Sequence, residues 1–435
     1  MSCKDVCKGE YLTMYRKSIF HRDFILVAAG QIISLFGNQI LRYALPLYLL
    51  NETGSSALFG SILACSFIPM ILLFPIGGII ADRVNKRNIM VALDFGTAAL
   101  TLIFCLLAGR VSIVPLMAVT MIILYGIQGA YQPAVQACVP DLVAAEHIMQ
   151  GNSVVDLISS LAGMAGPVAG GILFSMVGLT PILYVSTGCF LASAVMEIFI
   201  HMPCERKKSQ EGIVVTGLKD LRESFDFIFN ERPVLWKMPL VFASVNLLLT
   251  TLILIGVPVL ITQRMGFEPN TASRLYGFAQ GFMAGGSVLG GLLAGVLAKK
   301  LKPRSMPFLL AGCALSVGLV GVGLQLLSGM AVYAVLVAGS SLLLVFSTLF
   351  TVQLMTCLQL LTPRELTGKV LSCVLCVCMC TNPIGQFVYG LVFEHIGGSV
   401  FLPFYTAALI MLGIVLLTHR IFGAVDPLMA EQAEL

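Results

Sequence analysis

Gly78-Ile-Ile-Ala-Asp82-Arg83-Val-Asn-Lys86-Arg87 interrupts two long apolar runs with a compact group of charges. A degenerate copy returns about half a chain later as Gly291-Leu-Leu-Ala-Gly-Val-Leu-Ala-Lys299-Lys300. Aligned without gaps from Gly77 and Gly290, both read Gly-Gly-[Ile/Leu]-[Ile/Leu]-Ala, four variable residues, then a basic pair. A second echo links Gly171-Ile-Leu-Phe-Ser-Met-Val-Gly178 with Gly390-Leu-Val-Phe-Glu-His-Ile-Gly397. Two echoes with nearly the same displacement imply a chain made of two related halves.

The composition says what surrounds those halves. The 435 residues are 58% hydrophobic and only 11% charged, with a mean hydropathy of +0.95. Soluble domains carry about 25% charged residues, so this chain is built for lipid. A helix needs roughly 20 predominantly apolar residues to cross a bilayer core, and about twelve such runs are present. They are continuous rather than alternating, which implies helices and excludes a barrel. The expected fold is all-α integral membrane, with twelve transmembrane helices in two pseudo-symmetric six-helix bundles.

Charge gives the expected orientation. With the N-terminus in the cytoplasm, the 26 Lys and Arg fall in cytoplasmic segments except Arg42, Arg110, Arg264 and Arg274. By the positive-inside rule both termini are cytoplasmic, in a multi-pass cell-membrane protein. The net charge of +4 then reflects topology, and no nucleic-acid partner is expected. Residues 1–22 are polar and basic without a separate apolar core, so no cleavable signal is read there. The 13 Cys lie almost entirely within the spans, and neither a disulfide framework nor a metal site is expected of them.

The polar stretch 202–236 separates residues 1–201, the N-terminal bundle, from 237–421, the C-terminal bundle; 422–435 remain as a cytoplasmic tail. Within the linker, Leu218, Leu221, Phe225 and Ile228 recur at helical spacing with charges between them. That pattern predicts an amphipathic helix on the inner membrane face.

Twelve spans, a six-plus-six repeat and the charged loop together resemble the major facilitator superfamily over nearly the whole length. The loop pattern is met at Gly78, Ile80, Ala81, Asp82, Arg83, Asn85, Lys86 and Arg87. Ser34-Leu-Phe-Gly37-Asn-Gln, Ala44-Leu-Pro, Pro140-Asp-Leu and Leu218-Lys-Asp-Leu-Arg-Glu-Ser-Phe look like the bacterial branch of macrolide, multidrug and siderophore exporters. Ala162-x-x-x-Gly166-Pro167-x-x-Gly170-Gly171 resembles the antiporter signature of drug exporters; small residues at that spacing also permit an ordinary close helix crossing. The resemblance implies that Gly78, Asp82, Arg83, Lys86 and Arg87 form a conformational latch. It further implies secondary active export of amphiphilic small molecules by alternating access, with protons as the coupling ion, no cofactor, and a monomer in the lipid bilayer. Import or flipping of a nutrient or lysophospholipid on the same fold is the alternative. The arginine that many proton-coupled exporters carry in the fourth span is replaced here by a run containing Tyr125, Gln128 and Tyr131, and the second loop copy has Gly295 at the Asp position.

Polar residues inside the spans are the candidate machinery, because a buried charge in a membrane is retained for a reason. Gln31, Asn38 and Arg42 share one face of the first span, and a polar stripe on an apolar helix should face a wet interior. Arg42 either meets an anionic or carbonyl group of a cargo, or reaches outward towards Glu52. Gln128, Asn246, Asn382 and Gln386 are further candidates for cargo contact. Asp94 and Asp156 are the candidate coupling acids, with Glu197 a weaker third near the end of the sixth span. No His-Glu-x-x-His, Gly-x-Ser-x-Gly or Walker A string is present, so neither an enzyme nor an ATP-driven pump is expected.

Overall fold

The computed structural model describes residues 21–144, 147–201, 236–297, 303–362 and 367–433. Among them, 12 helices are long and apolar enough to cross a membrane. They are α1 (Arg22–Thr53), α2 (Ser56–Arg83), α3 (Lys86–Leu107), α4 (Ile113–Leu142), α5 (Ile148–Val177), α6 (Leu179–Ile198), α7 (Lys237–Arg264), α8 (Pro269–Leu297), α9 (Met306–Leu326), α10 (Met330–Leu361), α11 (Thr367–His395) and α12 (Leu402–Ala433). No strand occurs among the described residues. The amphipathic helix expected at 202–236 falls almost wholly outside them, and α12 continues into the segment read as a tail.

The two kinds of connection differ in a way that follows from the charge pattern. Each link from an odd-numbered to an even-numbered helix holds a glycine at positive φ: Gly54, Gly109, Gly178, Gly266, Gly329 and Gly397. A left-handed residue reverses the chain within a few positions, and only glycine adopts it without strain. Most Lys and Arg cluster instead at the opposite links, those after α2, α6, α8 and α10. One of them is described in detail: Asn85 caps α3 by accepting a hydrogen bond from the Arg87 backbone N–H at 3.1 Å, which satisfies a donor the helix leaves open.

The chain divides into two compact units. In the first, which holds residues 1–45 and 66–209, α3 packs along α6 and against α4. The hydroxyls of Thr101 and Thr187 meet at 2.8 Å across the α3–α6 seam. Phe24, Val27, Met90, Ala134, Cys138, Val139 and Ile200 form a buried apolar cluster at one end. In the second unit, α8 packs on α10, α9 on α10 and α12, and α7 on α11. Two π-helical turns, Asn246–Thr250 and Leu260–Arg264, interrupt α7.

Both units contain the same glycine crossing. A Cβ on Gly77 of α2 would lie 2.7 Å from the Ala130 Cα of α4, and a Cβ on Gly290 of α8 would lie 2.7 Å from the Val345 carbonyl oxygen of α10. These are the two residues from which the repeat aligns. The duplication is thus present in the packing as well as in the letters.

One boundary departs from the sequence reading. Residues 46–65, the end of α1 and the start of α2, group with the second unit rather than with the rest of 1–201. Two contacts hold them there. A Cβ on Gly60 would stand 2.8 Å from the Gly390 Cα and would strike the Gln386 carbonyl oxygen, so two glycines let α2 and α11 touch backbone to backbone. Glu394, at the end of α11, accepts from the Ser55 hydroxyl, the Ser56 hydroxyl and the Ala57 N–H, each at 3.1 Å. A carboxylate on the open N–H groups at a helix start is favoured by the helix dipole. Within α1 the division falls at Pro46, whose missing N–H frees one carbonyl from the helical ladder.

Candidate functional site

In the first unit, Asn38 and Arg42 on α1 face Tyr125 and Gln128 on α4 across a pocket closed by Leu41 and Leu124. Asn38 and Arg42 are one turn apart on α1, and Tyr125 and Gln128 are one turn apart on α4, so each pair shares a face. The Arg42 guanidinium carbon sits 4.6 Å from the centre of the Tyr125 ring. That distance is a cation–π contact, worth up to about 2 kcal/mol where water is excluded. Phe67 packs at a tilt against Tyr125, 5.2 Å between ring centres, and steadies the platform. No carboxylate pairs with Arg42 among the described residues. The side-chain oxygens of Asn38 and Gln128 are buried and accept no hydrogen bond. In this closed state the pocket, about 10 Å³ and so no larger than a water site, sets a cation beside two free acceptors between apolar walls.

Gln31 does not join this pocket. It is fully buried, and neither its amide nitrogen nor its oxygen has a partner. It lies one turn from Ser34, whose hydroxyl donates to Asp94 Oδ1 at 2.9 Å. The two candidate acids are placed very differently: Asp94 is 2% exposed, whereas Asp156 is exposed on α5. Glu197 is more deeply enclosed than either, at 0%. Its Oε1 accepts from the Tyr131 hydroxyl at 3.0 Å.

The charged loop is described in part. Asp82 and Arg83 end α2 and Lys86 and Arg87 begin α3; the side chains of Gly78, Asp82 and Arg83 lie outside the described set. Arg87 donates from Nη1 to the Ile200 carbonyl at 3.3 Å, tying the start of α3 to the chain beyond α6. The small-residue motif of α5 lies against α1. A Cβ on Gly166 would come 2.5 Å from Gln39 Cβ, and one on Gly170 would come 3.1 Å from the Tyr43 ring. Pro167 and Gly171 sit between and beside them on α5 without interrupting the helix. Valine at 166 is expected to force α5 off α1, destabilising the protein by about 1–3 kcal/mol; thermal unfolding in detergent checks this.

In the second unit, Asn246 opens the first π turn of α7 and its amide donates to the Phe242 carbonyl at 3.2 Å. Such turns recur at functional positions because one carbonyl leaves the regular ladder. Gln386 is buried with both amide atoms unpaired, and Asn382 stands half-buried one turn before it on α11.

Twelve spanning helices built from a duplicated half, with unpaired polar groups held inside them, define a polytopic membrane carrier. The chain belongs to the Major Facilitator Superfamily, whose family model matches residues 27–385. It is 24% identical over 417 residues to the uncharacterized MFS-type transporter YfiS of Bacillus subtilis (strain 168), covering 92% of this chain and 93% of that protein. Macrolide efflux protein A of Streptococcus pyogenes is 26% identical over 177 residues, which is 40% of this chain and 44% of that one. Among solved structures, the peptide transporter POT bound to alafosfalin superposes with a TM-score of 0.72 at 14% identity, covering 95% of this chain and 97% of that one.

Tyr131 and Ser34 did not stand out in the sequence as partners of acids, and Tyr125 not as a platform for Arg42. A signal existed for two of them. Tyr125 and Tyr131 each lie three residues from Gln128 on α4, one on either side, so a polar face there was readable.

Proposed function

We propose that the protein exports amphiphilic small molecules, of the drug, macrolide or siderophore kind, by alternating access in the cell membrane. Both termini lie in the cytoplasm, and protons supply the driving force. The observation that carries this reading is Arg42: a membrane-embedded cation stacked on an aromatic ring, without a carboxylate partner, beside two free acceptors. Opened in the other access state, this group suits a cargo whose polar part presents a carbonyl or carboxylate to the guanidinium and a hydroxyl or N–H to Asn38 and Gln128. Leu41 and Leu124 suit its apolar part. Gln31, Asn246, Asn382 and Gln386 are further polar groups available to cargo or to helix packing, and Asp94 is the acid we assign to coupling in preference to the exposed Asp156. The loop charges Asp82, Arg83, Lys86 and Arg87 act as a latch on one access state. The partial relative named for macrolide efflux supports the direction.

The test is transport in proteoliposomes with an imposed pH gradient, using erythromycin, ethidium and ferric citrate as probes. Proton-driven movement of at least one of them out of the cytoplasm-equivalent side is expected. Flux of every probe that is indifferent to the gradient, or a net movement in the opposite sense, overturns the reading.

A further inference from the structure

Deep in the first unit, two acids are buried on helices that pack along one another, with no cation bonded to either among the described residues. Asp94 on α3 and Glu197 on α6 are 2% and 0% exposed, and both lie against the same turn of α1, Glu197 beside Gly30 and Asp94 beside Ser34. Each has one oxygen occupied by a neutral donor, Ser34 on Asp94 Oδ1 at 2.9 Å and Tyr131 on Glu197 Oε1 at 3.0 Å. Each has its other oxygen buried and unpaired. Helix α1 closes the remaining side. Gly30 lacks a side chain where Glu197 lies, since a Cβ there would be 3.7 Å from Oε1. Ser193, one turn before Glu197 on α6, donates to the Gly30 carbonyl at 3.0 Å. Gln31, fully buried and with both amide atoms free, shares the face of α1 that carries Ser34.

Two ionised carboxylates in such a place are strongly disfavoured, because burial removes water and each charge repels the other. Among the described residues, no Lys or Arg relieves them. On the packed helices, Arg87 is bound to the Ile200 carbonyl at 3.3 Å, Arg42 is stacked on Tyr125, and the carboxylate of Asp23 accepts from the His201 backbone N–H at 3.2 Å. Two neutral acids are less well matched than one, since Ser34 and Tyr131 donate to oxygens that accept more strongly when the carboxyl is ionised. One proton for two groups reconciles these demands. Its natural place is on the otherwise unpaired oxygens.

We propose that Asp94 and Glu197 form a single proton site, holding one proton between them, and that it senses the Arg42 pocket through one helical turn. On α1 the side chains run Arg42, Asn38, Ser34, Gln31; on α4 they run Tyr125, Gln128, Tyr131. At 1.5 Å per residue, Ser34 lies about 6 Å along the axis from Asn38, and Tyr131 about 4.5 Å from Gln128. The same two helices that line the pocket thus carry the two hydroxyls that hold the acids. A cargo that moves α1 against α4 moves Ser34 against Tyr131 and changes the hold on the proton, with no contact between cargo and acid. The proton exchanges with water at the end of the unit where α6 ends and α3 begins. The sensing role rests on the transporter reading above, whereas the proton site itself does not.

The test uses the full-length protein in detergent, without cargo, and reads the infrared C=O stretch of protonated carboxyl groups at neutral pH. The wild type should show about one protonated carboxyl per molecule more than the Asp94→Asn/Glu197→Gln double variant. Tyr131→Phe should keep the band and shift its frequency, a change that lost packing alone would not produce. Glu197→Gln alone should abolish or move it, which serves if the double variant fails to fold. Wild type without the band, or a double variant that retains it, overturns the site. Loss of the wild-type band on adding millimolar Na⁺ or Ca²⁺ at fixed pH also overturns it, in favour of a metal-ion site. Erythromycin is the probe for sensing: a band shift that Arg42→Ala removes supports the link between pocket and acids. A wild-type band that responds to none of erythromycin, ethidium or ferric citrate sinks the link and leaves the proton site standing.

Discussion

Replacing Arg42 with alanine is expected to raise the KM for a carbonyl- or carboxylate-bearing cargo by roughly 10- to 150-fold, the effect of losing about 1.5–3 kcal/mol from one charged hydrogen bond. The guanidinium has a ring to rest on, 4.6 Å away, and no acid to neutralise it. Its removal therefore leaves no other described protein charge unpaired, and protein stability should fall by no more than about 2 kcal/mol, the worth of the lost stack on Tyr125. Arg42→Lys separates charge from shape. Lysine keeps the positive charge and loses the planar stack on Tyr125 and the forked donors, so an intermediate KM is expected. Tyr125→Phe retains the ring and should be nearly neutral, whereas Tyr125→Leu should approach the alanine variant. Concentration-dependent flux in proteoliposomes measures all four. If Arg42→Ala transports at wild-type KM, Arg42 serves the membrane boundary and not the cargo.

The spans were legible because hydropathy reports directly on contact with lipid, and the repeat was legible because its glycines recur in register. What escaped depended on contacts between residues far apart in the chain. Residues 46–65 join the second unit because Gly60 meets Gly390 and Ser55 and Ser56 meet Glu394; nothing local in α1 or α2 announces that. Helical periodicity put Gln31 with Asn38 and Arg42, yet Gln31 ends fully enclosed while the other two line a pocket. A shared face does not imply a shared environment when the neighbour on that face changes along the helix. Glu197 looked marginal from its place near the end of α6. The structure encloses it under Tyr131 and Gly30, so depth along one helix was a poor guide to burial among several. Asp94 and Asp156 looked alike as acids in opening turns, and only packing separates the buried one from the exposed one.

Valine at Gly77 or at Gly290 is expected to be among the most damaging small substitutions in the protein, and to be so at both positions alike. At Gly77 the new Cβ would sit 2.7 Å from Ala130 Cα and 3.0 Å from its carbonyl oxygen; at Gly290 it would sit 2.7 Å from the Val345 carbonyl oxygen and 2.9 Å from Thr348 Cβ. Most of these are backbone atoms, which no rotamer change can move aside, so the crossing helices must separate. Overpacking of that kind destabilises by about 1–3 kcal/mol and sometimes more. In a membrane the loss is not offset by hydrophobic collapse, because close van der Waals packing is itself what joins the helices. Gly291 is the internal control. It follows Gly290 on the same helix but has no neighbouring atom within 4 Å of a Cβ, so Gly291→Val should unfold near the wild-type temperature. Detergent thermal melts of Gly77→Val, Gly290→Val and Gly291→Val should therefore show two large falls and one small change. A large loss at 77 with tolerance at 290 would mean that the second copy has drifted in structure as its loop has in sequence, and that the two crossings no longer do the same work.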